Sequence, residues 1–453
     1  MLVERLDEKL KFIEQVMALA YDAKVNYNDT LATVRPWDII IHNYLLEQNI
    51  VIPFMKEQTM DKALVGGHVK EPIPGLYDWV VSFDLNSLYP HLIMQYNIST
   101  ETYIDQFESF PSIDEILTSE DTYSKAGPDG KTSAAIAANG CYYRTDFQGF
   151  LPALMEKMYN DRVTYKKLMI EAKQRYEKNP NSEDEKLIAR YHNMQMAKKI
   201  QLNSAYGALG NQYFRWFNFN LAESITMSGQ LSIRWIEQKI NLYMNHMLKT
   251  KDVDYVIASD TDSVYVSMAD LVKRTGILDD KLIVNAIDQF CEKKIQPYID
   301  ECYQILADRM SAYQQKMKMK RETIANKGIW RKKKMYILNA WDIEGVRFEH
   351  PKLKINGIEA VRSSTPRSCR DAIKKALEII MNKDEKELND FVVKYRNEFD
   401  KLPFEDIAFP RGMNGLNEYK DNFTIFKSGT PIHTDRKSTR LNSSHGYISY
   451  AVF

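Results

Sequence analysis

The sequence contains little cysteine, and its cysteines are not grouped. Four are present among 453 residues: Cys141, Cys291, Cys302 and Cys369. None belongs to a Cys-x-x-Cys pair, and no histidine cluster accompanies them. A zinc site and a disulfide framework are therefore not expected, and this usage favours a reducing cytosol. The simplest interpretation of each cysteine is a small buried apolar residue.

Long apolar runs and a net charge are also missing. No stretch approaches the roughly 20 apolar residues of a membrane span. The N-terminal MLVERLDEKLKF lacks the apolar core of a signal peptide. We therefore expect no membrane partner. Lys+Arg and Asp+Glu both number 61, but this balance does not exclude nucleic acid, because acidic surface elsewhere can offset a basic groove.

Hydrophobic periodicity divides the chain into helical and strand-forming stretches. Helices are predicted over 1–24, around WDIIIHNYLL, over 153–178, from the break at KNPNSEDE to about Gly207, over 220–248, and over about 280–320. Strands are predicted at DWVVSFDL, on both sides of DTDS, at 335–341 and at 353–361. Between the two long helices, Asn-Pro ends one and Ser182 with Glu185 suits the start of the next, which predicts an antiparallel hairpin. Asn139-Gly140 predicts a β-hairpin.

An acidic turn stands in YVIASDTDSVYVSM. Apolar and polar residues alternate on both sides of it, which predicts two strands with Asp260 and Asp262 at the tip of their hairpin. Two carboxylates so close repel each other unless they share a proton or a cation. The turn therefore suggests a divalent-metal site. An acidic surface turn is the alternative, because Asp, Ser and Thr favour turns in any case.

A second carboxylate follows an apolar strand in VVSFDLNSLYP. Asp84 lies at the end of that strand, and Asn86 and Ser87 start a helical turn. A carboxylate in this position can present a metal ligand beside free backbone N–H groups. Asp is also a common strand terminator, so the segment by itself leaves both interpretations open.

The predicted helical hairpin carries cations on both of its helices. Four residues of KKIQLNSAYGALGN recur at helical spacing on one face: Lys199, Asn203, Tyr206 and Gly207. The partner helix carries Arg162 and Lys166, four residues apart. Together with Lys199 they form a clamp suited to a triphosphate. Each taken singly is equally a solvated charge on a helix.

Two basic blocks follow later in the chain, KMKMKRE at 316–322 and RKKKMY at 331–336. Basic residues interleaved with Tyr and Trp, as in GIWRKKKMYILNAW, are typical of a track for a nucleic-acid backbone. A solvated basic face is the alternative.

These segments resemble the motifs of family B DNA polymerases. DLNSLYP resembles motif A, KIQLNSAYG motif B, SDTDS motif C, and KKMY the K-K-x-Y motif that grips primer–template duplex. The order is that of the family, and the resemblance covers about residues 1–434. Flanking stretches such as NSAYGALGNQYFRWFN are most similar to the replicative polymerases of large tailed bacteriophages.

The resemblance implies an α+β fold with the right-hand architecture of polymerases: an antiparallel-sheet palm, a two-helix fingers hairpin and a partial helical thumb. The expected parts are a helical segment linking to an exonuclease domain (1–65), the palm in two parts (66–152 and 208–350), the fingers (153–207), a partial thumb (351–434) and an artefactual, disordered tail (435–453). We expect the chain itself to lack the exonuclease domain.

The resemblance also implies the metal site. Asp84 and Asp262 would be the metal-binding catalytic carboxylates, with the Leu85 carbonyl as a further ligand and Asp260 as the neighbouring acid. The expected cofactor is Mg²⁺, as two ions, with Mn²⁺ able to substitute. Glu322 matches an additional palm acid.

Substrate-binding residues follow from the same motifs. Those expected to bind the nucleotide are Ser87 and Leu88 through backbone N–H groups, Tyr89 as the steric gate against ribose, and Arg162, Lys166, Lys199 and Asn203 on the triphosphate. Those expected to contact DNA are Gly66, Gly67, Tyr206, Gly207, Lys333, Lys334 and Tyr336. One residue departs from the family pattern: Ser259 replaces the usual Gly before motif C, where a Ser needs a backbone angle that it can adopt.

The implied function is DNA-directed DNA polymerisation in replication, in the cytoplasm of an infected bacterium. The expected partners are primer–template DNA and dNTP, with a sliding clamp and separate exonuclease or thumb chains as further candidates. The alternative is a truncated or split-gene fragment that binds primer–template but is inactive without the other parts.

Overall fold

The computed structural model describes residues 2–55, 59 and 62–409. They divide into two compact units. The first unit takes its residues from within 2–70, 82–266 and 288–321, and the second from 71–81, 267–287 and 322–409. Both units combine helices with antiparallel strands, as the expected α+β class requires.

Helices supply most of the regular structure. In chain order they are α1 (Leu2–Leu10), α2 (Phe12–Ala23), α3 (Arg35–Glu47), α4 (Leu88–Gln95), α5 (Ile113–Thr118), α6 (Phe150–Lys178), α7 (Ser182–Leu209), α8 (Phe219–Leu248), α9 (Ala269–Thr275), α10 (Asp280–Phe290), α11 (Gln296–Arg309), α12 (Arg367–Asn382), α13 (Glu385–Phe399) and α14 (Phe404–Ile407). No helix of the described ranges has both the length and the apolar composition needed to cross a membrane.

The strands are shorter and pair with neighbours in space. They are β1 (Gly75–Leu85), β2 (Tyr103–Gln106), β3 (Ala135–Ile136), β4 (Cys141–Tyr143), β5 (Val256–Asp260), β6 (Ser263–Ser267), β7 (Met319–Lys332), β8 (Met335–Ile343) and β9 (Val346–Asn356). The first unit contains β5, β6 and the ends of β1 and β7, which are neighbours in that order. It also contains a small separate sheet with the strand order β2–β4–β3. In the second unit, β7, β8 and β9 form consecutive antiparallel hairpins.

Two predicted hairpins are present in the first unit. β3 pairs antiparallel with β4 around Asn139-Gly140, and Gly140 has a φ of 79°, which glycine adopts without strain. The long helices α6 and α7 pack side by side. The cap of α7 is Asn181 rather than Ser182, because the Asn181 side chain accepts the Asp184 N–H at 2.8 Å.

The N-terminal helix predicted over 1–24 is interrupted at Lys11. Lys11 adopts a left-handed φ of 55°, and the chain restarts as α2. The Asp7 carboxylate accepts the N–H of Ile13 at 2.9 Å, which satisfies one of the backbone donors that a new helix leaves open. The apolar periodicity continues through Lys11, so the sequence pattern could not reveal the break.

The predicted helix over 280–320 is wrong in its second part. A π-helical turn at Cys291–Ile295 separates α10 from α11, which ends at Arg309. The block KMKMKRE begins before β7 and runs into it. Buried Met317 and Met319 alternate there with exposed Lys318 and Lys320, which is the period of a strand and not of a helix.

The second unit has a core of its own between β8 and α12. Its buried residues are Met335, Ile337, Ile358, Ala360, Leu377 and Met381. The prediction of β8 is confirmed, whereas the strand expected over 353–361 starts earlier and ends at Asn356, with a 3-10 turn at Glu359–Val361. β7 was not predicted, because its basic residues obscure the apolar alternation.

Gly357 lies so close to the Lys334 backbone that its substitution tests the packing of the second unit. Gly357 has a φ of 66°, and a Cβ there would lie 2.0 Å from the Lys334 carbonyl oxygen. Gly345 has a φ of 83° but nothing within 4 Å. We expect Gly345→Ala to cost about 1 kcal/mol through its backbone angle alone, and Gly357→Ala to cost clearly more. Urea unfolding measures both variants, and equal losses would contradict the contact.

Candidate active site

The acidic turn lies where the sequence places it. β5 ends at Asp260, β6 begins at Ser263, and Thr261 and Asp262 form the turn. The Asp262 N–H donates to the Asp260 carbonyl at 2.6 Å, and Thr261 takes the left-handed φ of 57° that the tight turn needs. Both aspartates are half-buried.

Ser259 is accommodated without a special backbone angle. It lies on β5 opposite Val264, is 1% exposed, and its hydroxyl donates to Glu237 Oε2 at 3.4 Å. The positive φ of the turn lies at Thr261 instead. A serine therefore fits where the family pattern has glycine.

The end of β1 reaches this turn directly. The Leu85 N–H donates to the Asp262 carbonyl at 2.8 Å, so Asp84 and Asp262 lie within one residue of a shared hydrogen bond. Phe83 and Leu85 are buried, and Asp84 is half-buried between them. On the other side, the Asn86 N–H donates to the Lys318 carbonyl at 3.1 Å.

The start of α4 follows, and the N–H groups of its first turn have no partner within the helix. Ser87 has a left-handed φ of 47° and precedes the helix as its N-cap, without a side-chain cap bond. Arg162 of α6 donates from Nη1 to the Ser87 hydroxyl at 3.4 Å. The structure thus brings one predicted triphosphate ligand to the predicted backbone cradle. The N–H groups of the first turn of a helix favour anions.

Tyr89 is enclosed between two helices. Its ring centroid lies 4.7 Å from that of Tyr206 on α7, and on α8 a Cβ at Gly229 would lie only 3.3 Å from Tyr89 Cε1. Burial raises the pKa of Tyr89 to about 12, with smaller contributions from Tyr206 and Asp262. The phenol is therefore neutral at ordinary pH, and the Asp262 carboxylate lies near it.

The other residues predicted for the triphosphate belong to the same hairpin. Arg162 is half-buried, while Lys166, Lys199 and Asn203 are exposed. The Arg162 Nε is buried and finds no hydrogen-bond partner in the described part of the chain. An unpaired, buried guanidinium nitrogen is costly, so the group is suited to an anionic ligand.

The Gly66-Gly67 segment lies against the acidic turn, a pairing that the sequence did not reveal. The Thr261 N–H donates to the His68 carbonyl at 2.9 Å, and the Lys70 N–H to the Ser259 carbonyl at 3.1 Å. A Cβ at Gly67 would lie 2.8 Å from Thr261 Cγ2. Gly67 therefore permits this close approach. The stretch is too short for a strand pattern to show.

His91 of α4 was missed, and the contact of the predicted basic block at 316–322 with α4 was not foreseen. Gln95 Oε1 accepts the Lys316 and Met317 N–H groups at 3.0 and 3.3 Å, which holds this segment on α4. His91 is buried, and its Nδ1 lies 3.0 Å from the Ser87 carbonyl. Burial lowers the pKa of His91, with Lys316, Lys318 and Arg162 lowering it further. The alternation of Met and Lys in KMKMK was the sequence signal that this segment is extended and buries one face.

Gly207 is exposed on α7, whereas the predicted DNA-contacting residues Lys333, Lys334 and Tyr336 belong to the second unit. Lys333 and Lys334 are exposed in the two-residue turn between β7 and β8. Tyr336 is instead buried and stacked on Trp330, with centroids 5.7 Å apart. Lys354 donates to Glu322 Oε1 at 2.8 Å, so this acid is paired within its own unit.

The expected metal ligands are hard oxygen atoms, and only a few side chains supply them. Within the described residues, no group of three or more His, Cys, Asp or Glu side chains is arranged to hold a metal ion. Asp84 and Asp262 provide two carboxylates whose backbones are joined through Leu85. Mg²⁺ is commonly held by one or two carboxylates together with water and substrate phosphates. The donor set therefore fits this ion.

Fold and site together define a class: a mixed helical and antiparallel-sheet protein with an acidic turn at a strand end and a cationic helical hairpin linked to it. The chain belongs to DNA polymerase family B, whose model matches residues 35–279. This confirms the resemblance drawn from motifs A, B and C.

Relatives of viral and cellular origin support the assignment. The chain is 33% identical to the DNA-directed DNA polymerase of Escherichia phage RB69, over 92% of this chain and 51% of the relative. It is 31% identical to that of Enterobacteria phage T4, over 92% and 52%. DNA polymerase 1 of Pyrococcus abyssi is 29% identical over 47% of this chain and 22% of that relative. The chain spans about half the length of the phage relatives.

His91 predicts a specific pH dependence of stability. Its carbonyl partner requires the proton on Nδ1, and its lowered pKa means that the unfolded chain takes up a further proton more readily. Its contribution to stability is therefore present above about pH 6.5 and is lost as the pH falls below that value. In His91→Asn, which retains a donor near Nδ1, we expect a smaller drop in melting temperature between pH 7 and pH 5. An identical drop would contradict this assignment.

Proposed function

We propose that this chain is the polymerising part of a family B DNA polymerase. It transfers a nucleotidyl group from a dNTP to the 3′-hydroxyl of a primer, directed by a DNA template. The observation that carries the proposal is the Leu85–Asp262 hydrogen bond, which brings motif A and motif C together in a member of this family.

Asp84 and Asp262 are the proposed catalytic carboxylates, with the Leu85 carbonyl as a further ligand and Asp260 beside them. Bound Mg²⁺ would lower the pKa of the primer hydroxyl and neutralise charge on the leaving pyrophosphate. The chain's own contribution is to hold these oxygens at a rigid junction of strand ends. Half-burial of the carboxylates strengthens their attraction for a cation.

Nucleotide binding falls to α4 and to the hairpin of α6 and α7. The N–H groups of Ser87 and Leu88 lie at the start of α4, and a helix N-terminus favours phosphate. Arg162, already bonded to Ser87, would act with Lys166, Lys199 and Asn203 on the triphosphate. Tyr89 would exclude a ribose 2′-hydroxyl, since Tyr206 and Gly229 limit where its ring can move.

Primer–template DNA is the proposed macromolecular partner. Gly66, Gly67, Tyr206 and Gly207 would lie beside template and nascent base pair, and Lys333 and Lys334 would contact the duplex backbone. Tyr336 supports their turn from the core through its stacking on Trp330. We further propose the right-hand assignment, with 153–207 as fingers, and activity in the cytoplasm of an infected bacterium.

A second candidate function is DNA binding without turnover. It is favoured by one observation: Lys333 and Lys334 are exposed together in the turn between β7 and β8, which suits a duplex backbone whether or not synthesis follows. Separate exonuclease or thumb chains, or a sliding clamp, would then be needed for synthesis.

Primer extension tests the proposal. Purified protein with dNTPs and Mg²⁺ or Mn²⁺ is expected to extend a primer, and Asp262→Ala is expected to lower the rate by about 10²–10³-fold or more, because the carboxylate acts in the transition state. Asp270→Ala, which removes a surface carboxylate of α9, is the matched control. Duplex binding without extension by the unaltered protein would favour the second function, and full activity of Asp262→Ala would refute the catalytic assignment.

The basic turn is tested by salt. Each phosphate contact adds about 0.9 to the slope of log affinity against log salt. Replacing both Lys333 and Lys334 with Gln should therefore lower affinity for duplex and reduce the slope by about 2. Lys375→Gln, on the surface of α12, should change neither. A slope that both variants share with the unaltered protein would exclude phosphate contacts at this turn.

A further inference from the structure

Lys198 is a buried cation at a junction of three helices. It belongs to α7 but is only 7% exposed. Its Nζ lies 2.8 Å from Asp22 Oδ1 on α2 and 3.2 Å from Asp161 Oδ2 on α6. The sequence pairs it with Lys199 as a basic doublet. The structure separates the two, since Lys199 is exposed.

Burial of this ammonium group needs its partners. A charge removed from water is costly unless paired with good geometry, and here two carboxylates from different helices meet one cation. Such a buried ionic contact adds little net stability but can fix the register of packed elements. Sliding α2 or α6 would remove one of the two carboxylate partners of Lys198, and sliding α7 would remove both.

The junction lies one residue from the proposed triphosphate ligands on both helices of the hairpin. Asp161 precedes Arg162 on α6, and Lys198 precedes Lys199 on α7. Successive side chains on a helix diverge by about 100°, so Lys198 points inward where Lys199 points outward. Lys198 is therefore placed to fix these ligands rather than to touch the nucleotide.

The third helix of the junction is α2, from the N-terminal segment. α2 also contacts α7 through Asn193 Nδ2, which donates to Glu14 Oε2 at 3.1 Å. α3 adds a bond from Trp37 Nε1 to Ser204 Oγ at 3.0 Å. The N-terminal helices thus lie along the helix that carries Lys199 and Asn203.

We propose that Lys198, held by Asp22 and Asp161, is a positioning residue for nucleotide binding, and that α2 is thereby part of the nucleotide-binding apparatus. The inference rests on the proposed function. It predicts that loosening the junction weakens nucleotide binding while the bound nucleotide still reacts at a nearly normal rate, because the lost contacts are those of the ground state and transition state alike.

Lys198→Met and Asp22→Asn test this in the full chain. Met keeps most of the apolar stem, and the two carboxylates it leaves behind are partly exposed, so folding should survive. With saturating primer–template, we expect KM for the next dNTP to rise about five- to tenfold, with kcat within about twofold. Lys198→Arg, which keeps the charge, should recover part of the affinity.

Two matched variants separate positioning from a general loosening of the hairpin. Arg175→Gln removes a different ion pair between α6 and α7, the one with Asp184. Lys167→Gln removes an exposed ion pair within α6, the one with Glu171. Both should leave KM within about twofold. Equal increases in KM in these controls, or unchanged KM in Lys198→Met, would overturn the inference.

A binding measurement distinguishes this failure from failure of the proposed function. Calorimetry with a dideoxy-terminated primer–template, Mg²⁺ and the next dNTP gives the nucleotide Kd without turnover. If the unaltered protein binds dNTP and Lys198→Met binds it equally well, the positioning role alone is refuted. If the unaltered protein neither binds nor incorporates dNTP, the proposed function fails and the inference fails with it.

Discussion

The hydrogen bond from the Leu85 N–H to the Asp262 carbonyl is the contact on which the candidate site depends. It joins the end of a buried strand to a two-residue turn from a distant part of the chain. Without it, Asp84 and Asp262 would be two unrelated strand-end carboxylates, each explicable by turn chemistry alone. With it, two acids that repel each other lie at one junction, which is the electrostatic condition for binding a shared cation.

Neighbouring backbone contacts hold this junction from several sides. Residues 68–70 pair with Ser259 and Thr261, and Asn86 donates to Lys318. Most of these bonds are between backbone groups, so they place the carboxylates without using side chains that the chemistry would need. The cationic hairpin joins the same junction through Arg162 and Ser87. Acidic and basic components of the site are therefore tied to one short stretch, the end of β1 and the start of α4.

Local patterns predicted the parts that local forces form. The turn at Asp260–Ser263, the break at Asn179-Pro180 and the hairpin at Asn139-Gly140 follow from turn and cap preferences within a few residues. The break at Lys11 and the strand from Met319 were missed for different reasons. At Lys11 the apolar period continues through a break that the Asp7 carboxylate caps, and at Met319 basic residues obscure the strand alternation of buried methionines.

The sequence by itself determined the family, because motifs A, B and C carry a chemistry-bearing set of residues in a fixed order. It also determined which residues could be ligands. Only the tertiary structure decided which of two adjacent lysines is buried, that Tyr336 packs in a core while Lys333 is exposed, and that Gly67 lies against Thr261. The reason is physical: periodicity reports which face of an element is covered, whereas the partner that covers it is chosen by packing across distant segments.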